Sequence, residues 1–372
     1  MHFQSQLIES AKPSSTRMSI TRKARIPGPD ILRGFAALSV ITVHLIASSE
    51  IDYGSTIALV GSKFTASVTL FFAISAFSLA YSYGDEMFGK TDFRNFYIKR
   101  FFRLAPLFYF VLILQSVIIY FDYRKLPTLF EVLMSATFLF NLVPKMQNGF
   151  VWAGWSLSIE WIFYLLYPVL FLFSSNRKVV LILWLLSAFA STSIAGIKAE
   201  PTELYMNILT LLIFFVSGFL VFHCLGELGK LRNALGRYSS LISAAIIFLL
   251  ALFMLRVFQA GGPLIVNIYV TYSLVWIGMI SASIIGMPSF INNWFTRFLG
   301  EASYSIYLMH AMVIYLAKKA GLFHMVDAIP ASGPVKFLIA FSFVSLLTAS
   351  ISYFSFKYIE KPGIQLGRKC LA

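Results

Sequence analysis

The sequence predicts an all-α protein, a polytopic transmembrane helix bundle of about ten helices with both termini cytoplasmic. Three observations predict it. The 372 residues are 58% hydrophobic and only 12% charged, with a mean hydropathy of +0.78, whereas soluble domains carry about 25% charged residues. Apolar windows of roughly 18 to 22 residues recur along the chain, long enough to cross a hydrocarbon core of about 30 Å at 1.5 Å per residue. The basic residues gather in alternate segments between those windows, roughly twenty on the side of the N-terminus and nine on the other, which puts both ends inside. The formal charge of +14 is therefore a topology signal, and no nucleic-acid partner is expected.

Taken in order, residues 1–29 are polar and basic, with Lys12, Arg17, Arg22, Lys23 and Arg25 ahead of Pro27 and Pro29. They read as a disordered cytoplasmic tail. The apolar run that follows has no A-x-A-like cleavage site after Ser48 and Ser49, so the first helix, 30–49, is expected to be retained. Further spans are expected at 63–83, 104–121, 151–173, 178–197, 203–222, 238–257, 265–286, 303–318 and 335–357. The run from Leu129 to Val143 is only about 15 residues long, short for a span. Were it to cross, every later loop would change sides and Arg177 and Lys178 would face outward, so a re-entrant or interfacial piece is expected. A short cytoplasmic tail, 358–372, completes a single membrane domain of 30–357, and the expected location is the cytoplasmic membrane. Cys224 and Cys370 both fall in segments read as cytoplasmic, which argues against a disulfide framework, and no metal is expected.

Charges near a bilayer centre cost at least about 2.5 kcal/mol on insertion scales, so the few intramembrane ionisable residues are functional candidates. Arg33 and His44 lie eleven residues apart in the first helix. That spacing is three turns plus about 20°, with a rise of roughly 16 Å, so both side chains share one face. A neutral imidazole accepts a proton near pH 7, as activation of a hydroxyl requires, and a guanidinium suits phosphate recognition. The plainer readings are a core histidine and a snorkelling anchor. In the fourth span Ser156, Glu160 and Tyr164 form one polar stripe at i, i+4, i+8. Glu160 either orients or charge-balances an imidazole, carries a proton itself, or serves as a bond between helices. His310 shares a face with Tyr307 and Ser303 in the ninth span, as a catalytic or a structural histidine. Arg100 and Arg103 precede the third span and share a side if the helix has already begun there. They read as positive-inside anchors or as a pair of forks for an anionic nucleotide. The chain has no P-loop, GxGxxG or HExxH signature.

Together these residues resemble the membrane-bound acyltransferase family 3, the group containing bacterial O-antigen, exopolysaccharide and peptidoglycan O-acetylases. Asp30 and Arg33-Gly34, followed by His44, are similar to its Asp-x-x-Arg-Gly opening with histidine eleven positions after the arginine. Phe71 to Phe77 resembles FFxxSGF, Arg100 to Tyr109 resembles RxxRxxPxxY, and Trp155 to Pro168 resembles WSLxxExxFYxxxP. Leu299 to His310 resembles LGxxSYxxYLxH, and Glu360-Lys361-Pro362 resembles the closing ExP. Two departures stand out. Ala76 replaces the usual glycine, and Trp161-Ile162 replaces a Glu-Gln found in many members, which leaves Glu160 without an adjacent carboxylate.

The resemblance implies transfer of an acyl group, most often acetyl, from cytoplasmic acetyl-CoA or another acyl-CoA to a hydroxyl of an extracytoplasmic carbohydrate. His44 and Glu160 would be catalytic, Arg33, Arg100 and Arg103 would bind the donor, and His310, Tyr307 and Ser156 would support the substrate. Many members carry a C-terminal hydrolase-like domain. This chain is expected to act alone, as a homo-oligomer, or with a separate extracytoplasmic partner. The competing readings are a transporter or flippase exporting a glycan or lipid-linked sugar, and a membrane acyltransferase acting on lipids or proteins.

Overall fold

In lipid every backbone N–H and C=O must be satisfied within the protein, which favours helices. The computed structural model describes residues 25–83, 90–173, 176–195, 205–257 and 267–371, and among these there is no strand. The helices are α1 (Pro27–Ser48), α2 (Ser55–Phe64), α3 (Ser67–Tyr83), α4 (Lys90–Tyr123), α5 (Leu129–Thr137), α6 (Trp155–Phe173), α7 (Arg177–Ala195) and α8 (Ile208–His223). They continue with α9 (Leu225–Leu235), α10 (Ser239–Val257), α11 (Ile268–Ile285), α12 (Trp294–Glu301), α13 (Ser303–Lys319), α14 (Leu322–Asp327), α15 (Gly333–Ser355) and α16 (Lys361–Lys369). The expected tail through residue 24, the loop carrying Lys198, and the outer ends of the expected fifth, sixth and eighth spans lie outside the described residues.

All ten expected spans have a helix in place. Among the described residues eight helical segments are long and apolar enough to cross a bilayer. The other two expected spans are α8 and α13, of 16 and 17 residues. Both are central helices surrounded by protein, so they need not match the hydrocarbon thickness themselves.

Ion pairs and hydrogen bonds sort the helix ends as an alternating up-and-down bundle requires. At the end where α1 begins, Arg25 pairs with Glu301 at 2.8 Å and Arg177 with Glu227 at 2.8 Å. At the opposite end Lys318 pairs with Glu50 at 2.7 Å, Lys319 with Asp122, and the Tyr205 hydroxyl donates to the Thr65 carbonyl at 2.9 Å. The segment after α4 does not cross. A capping box of Thr128 and Glu131 starts α5, Phe138 ends it in a left-handed conformation, and a single 3-10 turn, Phe140–Leu142, follows. The Tyr109 hydroxyl, on α4, donates to the Ala136 carbonyl at 2.6 Å and holds this piece against the bundle.

Half or more of the apolar window is buried in α1 (50%), α2–α3 (50%), α6 (56%) and α11 (56%), against 17% in α7 and in α9–α10 and 22% in α15–α16. The first set forms the centre, and the second turns residues such as Phe189, Phe248 and Leu346 toward lipid. At the centre α3 and α8 touch backbone to backbone. A Cβ on Gly218 would stand 2.2 Å from the Ala73 carbonyl oxygen and 2.8 Å from the Ala76 Cβ. The glycine that position 76 lacks is thus supplied by the facing helix, a small-residue contact of the kind lipid-embedded helices use.

Three boundaries differ from expectation. The second span is two helices broken at Thr65–Ala66. The third begins at Lys90, not 104, and carries Pro106 inside it, so Arg100 and Arg103 are helical and share a side. Beyond the last span the backbone makes one π turn, Phe356–Glu360, and continues as α16, which packs on α4.

Candidate active site

A cavity of about 280 Å³ lies between α1, α3, α4, α6 and α13. Its wall carries Arg25, Arg33, Arg100 and Arg103, a single carboxylate, Glu160, and the hydroxyls of Ser75, Ser78, Ser156, Tyr164, Ser303, Tyr304 and Tyr307. Six residues expected at the site, Arg33, Arg100, Arg103, Ser156, Glu160 and Tyr307, therefore share one wall.

The four arginines differ in how their charge is met. Arg25 pairs with Asp30 at 2.5 Å and with Glu301 at 2.8 Å. Partial burial of Arg25 disfavours its charge, but the two carboxylates outweigh that and raise its pKa. Arg33 pairs with Asp30 at 3.3 Å and reaches the Ser78 hydroxyl at 3.4 Å. Arg103 pairs with Glu360 at 2.6 Å, and Ser305 donates to the other oxygen of that buried carboxylate at 2.6 Å. Among the described residues no carboxylate is bonded to Arg100. Its guanidinium lies within 6 Å of the Tyr83, Phe96 and Tyr164 rings and makes one long bond, 3.4 Å, to the Tyr83 hydroxyl. Its Nε is buried without a partner.

Glu160 accepts from the Ser75 hydroxyl at 2.6 Å and from the Tyr164 hydroxyl, one turn further along α6. Its carboxylate contributes to the electrostatic environment of both Arg33 and Arg100. The hydrogen-bond partners of Glu160 are thus on α3 and α6, and the ring against His44 is a different one.

That ring is His310. The two imidazoles lie 5.0 Å apart between centroids, tilted at 51°. His310 is fully buried, and its Nδ1 lies 2.5 Å from the Tyr307 carbonyl oxygen. A carbonyl only accepts, so Nδ1 carries the proton and Nε2 the lone pair, and this Nε2 is buried with no partner. The Ser156 hydroxyl donates to the Tyr307 hydroxyl at 2.7 Å. Neither histidine is part of the cavity wall. Tyr307 connects the two regions, with its ring 5.7 Å from Phe71 in the wall and 5.7 Å from His310 behind it.

A model of the acyltransferase 3 family, described as an acyltransferase domain, matches residues 26–355. The chain belongs to the acyltransferase 3 family. This membrane acyltransferase is 25% identical over 313 residues to the acyltransferase MdmB of Streptomyces mycarofaciens, across 79% of this chain and 80% of that protein. It is 25% identical over 382 residues to YrhL of Bacillus subtilis, named by inference as a peptidoglycan O-acetyltransferase. That match covers 91% of this chain and 54% of YrhL, little more than half its length. No solved structure matches the chain significantly.

Sequence reasoning missed several members of this candidate site and of its supports. Ser75 and Tyr304 stood inside recognisable blocks, but nothing in their spacing marked them as lining one cavity. Glu360 stood in the closing block without a visible partner, since Arg103 is 257 positions away. Arg25 was read as part of the tail. No cluster of metal-ligating side chains occurs among the described residues.

Proposed function

We propose that the protein is a membrane O-acyltransferase that moves an acyl group, most simply acetyl, from acyl-CoA at the cytoplasmic face to a hydroxyl of a carbohydrate at the outer face. The observation that carries this reading is a helix-bundle cavity walled by four arginines and one carboxylate, with a pair of imidazoles directly behind it. An excess of guanidinium inside a bundle is costly until an anion fills it, and the phosphates of CoA are such an anion. For the acyl group to reach His44 from the cavity, the Phe71 and Tyr307 rings, which now touch edge to face, must part.

In the proposed reaction the acceptor hydroxyl attacks the thioester carbonyl carbon while His44 takes the hydroxyl proton. The new C–O bond forms, the C–S bond breaks, and His44 returns the proton to the departing sulfur. His310, its tautomer set by the Tyr307 carbonyl, turns its Nε2 lone pair to the site and accepts a hydrogen bond from His44 during the transfer. Glu160, held by Ser75 and Tyr164, balances Arg33 and Arg100 so that the donor is bound without locking its phosphates in place.

The test uses inverted membrane vesicles supplied with acyl-labelled CoA. Label entering a carbohydrate fraction supports the reading; label retained on CoA or released wholly as free acid refutes it. Label in lipid or protein instead identifies another acceptor class.

A further inference from the structure

A second, smaller cavity of about 130 Å³ lies beside the first and is lined by Lys99, Arg100, Arg103, Ile364 and Arg368. Arg100 and Arg103 line both. Four of its five lining residues are cations. Arg103 is paired with Glu360, while Lys99, Arg100 and Arg368 make no ion pair with any described carboxylate.

The cleft is built by the docking of α16 on α4. Gly363 and Gly367 sit one turn apart, and so do the residues they press on. A Cβ on Gly363 would stand 2.5 Å from the Pro106 ring, and one on Gly367 would stand 2.6 Å from the Phe102 Cβ. This close approach fixes the register of the two helices. It brings Ile364 and Arg368, the next positions along α16, beside Lys99 and Arg103 of α4. The Glu360–Arg103 pair, closed by Ser305 of α13, holds the π turn from which α16 departs. Glu360, Ile364 and Arg368 all lie beyond the segment that matches the family model, 26–355.

We propose that this cleft is a phosphate subsite for the nucleotide end of the donor, with Arg368 and Lys99 holding the 3′-phosphate, so that α16 is part of the donor site. The inference rests on the acyl-CoA reading above. Coenzyme A carries its phosphates at one end and its thioester at the other. The two cavities present matching chemistry in the same order, an almost wholly cationic cleft joined through Arg100 and Arg103 to a larger chamber with hydroxyls and a carboxylate. Three cations without a carboxylate close together repel one another until an anion enters.

The experiment is calorimetric titration of the full chain in nanodiscs of neutral phosphatidylcholine, with CoA and with dephospho-CoA, which lacks the 3′-phosphate. The parent protein is expected to bind CoA at least tenfold more tightly than dephospho-CoA. Arg368→Ala and Lys99→Ala should each weaken CoA about tenfold and leave dephospho-CoA unaffected, and Arg368→Lys should keep part of the difference. Gly363→Leu, which lifts α16 from Pro106, should behave like Arg368→Ala. CoA binding that ignores Lys99 and Arg368 overturns the subsite and leaves the donor reading standing. No binding of either nucleotide by the parent removes both. Variants that lose affinity only for phosphatidylglycerol vesicles would assign the cleft to a lipid headgroup, which also overturns the proposal.

Discussion

Replacement of Arg100 by methionine separates ligand binding from stability, because the two should move in opposite directions. In the free protein the guanidinium is buried with an unpartnered Nε and only a 3.4 Å bond to Tyr83. Its compensation comes from three aromatic faces at 5.7, 5.9 and 5.9 Å, near the outer limit for cation–π attraction, for a total of about 2 kcal/mol. Burying such an ion costs several kcal/mol, and an apolar replacement of similar length keeps the packing of the stem. Arg100→Met should therefore unfold no more easily than the parent when no ligand is present. Donor binding should suffer, since a charge-assisted bond to phosphate is worth about 1.5–3 kcal/mol. A loss of about 3 kcal/mol is roughly a hundredfold in Kd. Thermal unfolding read with and without CoA shows both effects at once. At a concentration of 100 times the parent's Kd, CoA stabilises the parent by about 2.7 kcal/mol and the variant by only about 0.4 kcal/mol. A ligand-free variant less stable by more than about 2 kcal/mol with CoA affinity intact would make Arg100 a structural cation, and the argument from its missing carboxylate would fail.

Four further outcomes are expected. His44→Ala should abolish acyl transfer while the protein stays in the membrane and still binds CoA, and normal carbohydrate acylation in that variant would remove His44 from the chemistry. Glu360→Gln weakens the pair that holds Arg103 and should destabilise the fold by about 3 kcal/mol, read by denaturation in mild detergent, with the protons of α16 exchanging sooner than those of α13. Gly218→Ala should sharply reduce folded yield, and adding Ala76→Gly should not restore it, because the two nearest obstructions are the backbone atoms Ala73 O and Phe77 N; recovery of the double variant would show that the helices separate easily. Glu131 accepts from the Thr128 backbone and hydroxyl in the capping box, which depresses its pKa below the ordinary 4.5. That contribution is complete above pH 4.5 and is lost as pH falls through the depressed value, so hydrogen exchange in α5 should quicken in that acid window and Glu131→Gln should flatten the change.

The fold was legible because lipid leaves a chain few options. Apolar length and the placement of lysine and arginine were enough to find the eight helical segments long enough to cross and the two shorter central helices, and short length together with parity kept 129–143 from crossing. Helix ends were less legible. The third span is expected only from 104, yet the helix runs from Lys90 through Pro106, whose ring fits the space left by Gly363, a contact between positions 257 residues apart that no local pattern announces. For the same reason residues 358–372 read as a tail. The amphipathic character of α16 is visible only when Gly363 and Gly367 are known to face α4.

The site was legible one helix at a time. The polar stripe on α6 faces the cavity along its whole length, but of the Arg33–His44 pair on α1 only Arg33 reaches that wall, and the fold joins the groups differently from the roles the sequence suggests. Glu160 belongs with Ser75 and Tyr164 on the cavity wall, while His44 belongs with His310 behind Tyr307. A carboxylate beside an imidazole orients it and stabilises its protonated form, but the group that faces His44 is a second imidazole. The free His310 nitrogen can only accept a hydrogen bond, so it can orient His44 by taking its N–H, which leaves the other His44 nitrogen's lone pair for the substrate. In the proposed reaction this division keeps negative charge beside the arginines assigned to the donor and leaves His44, oriented by His310, to take the proton of the acceptor hydroxyl.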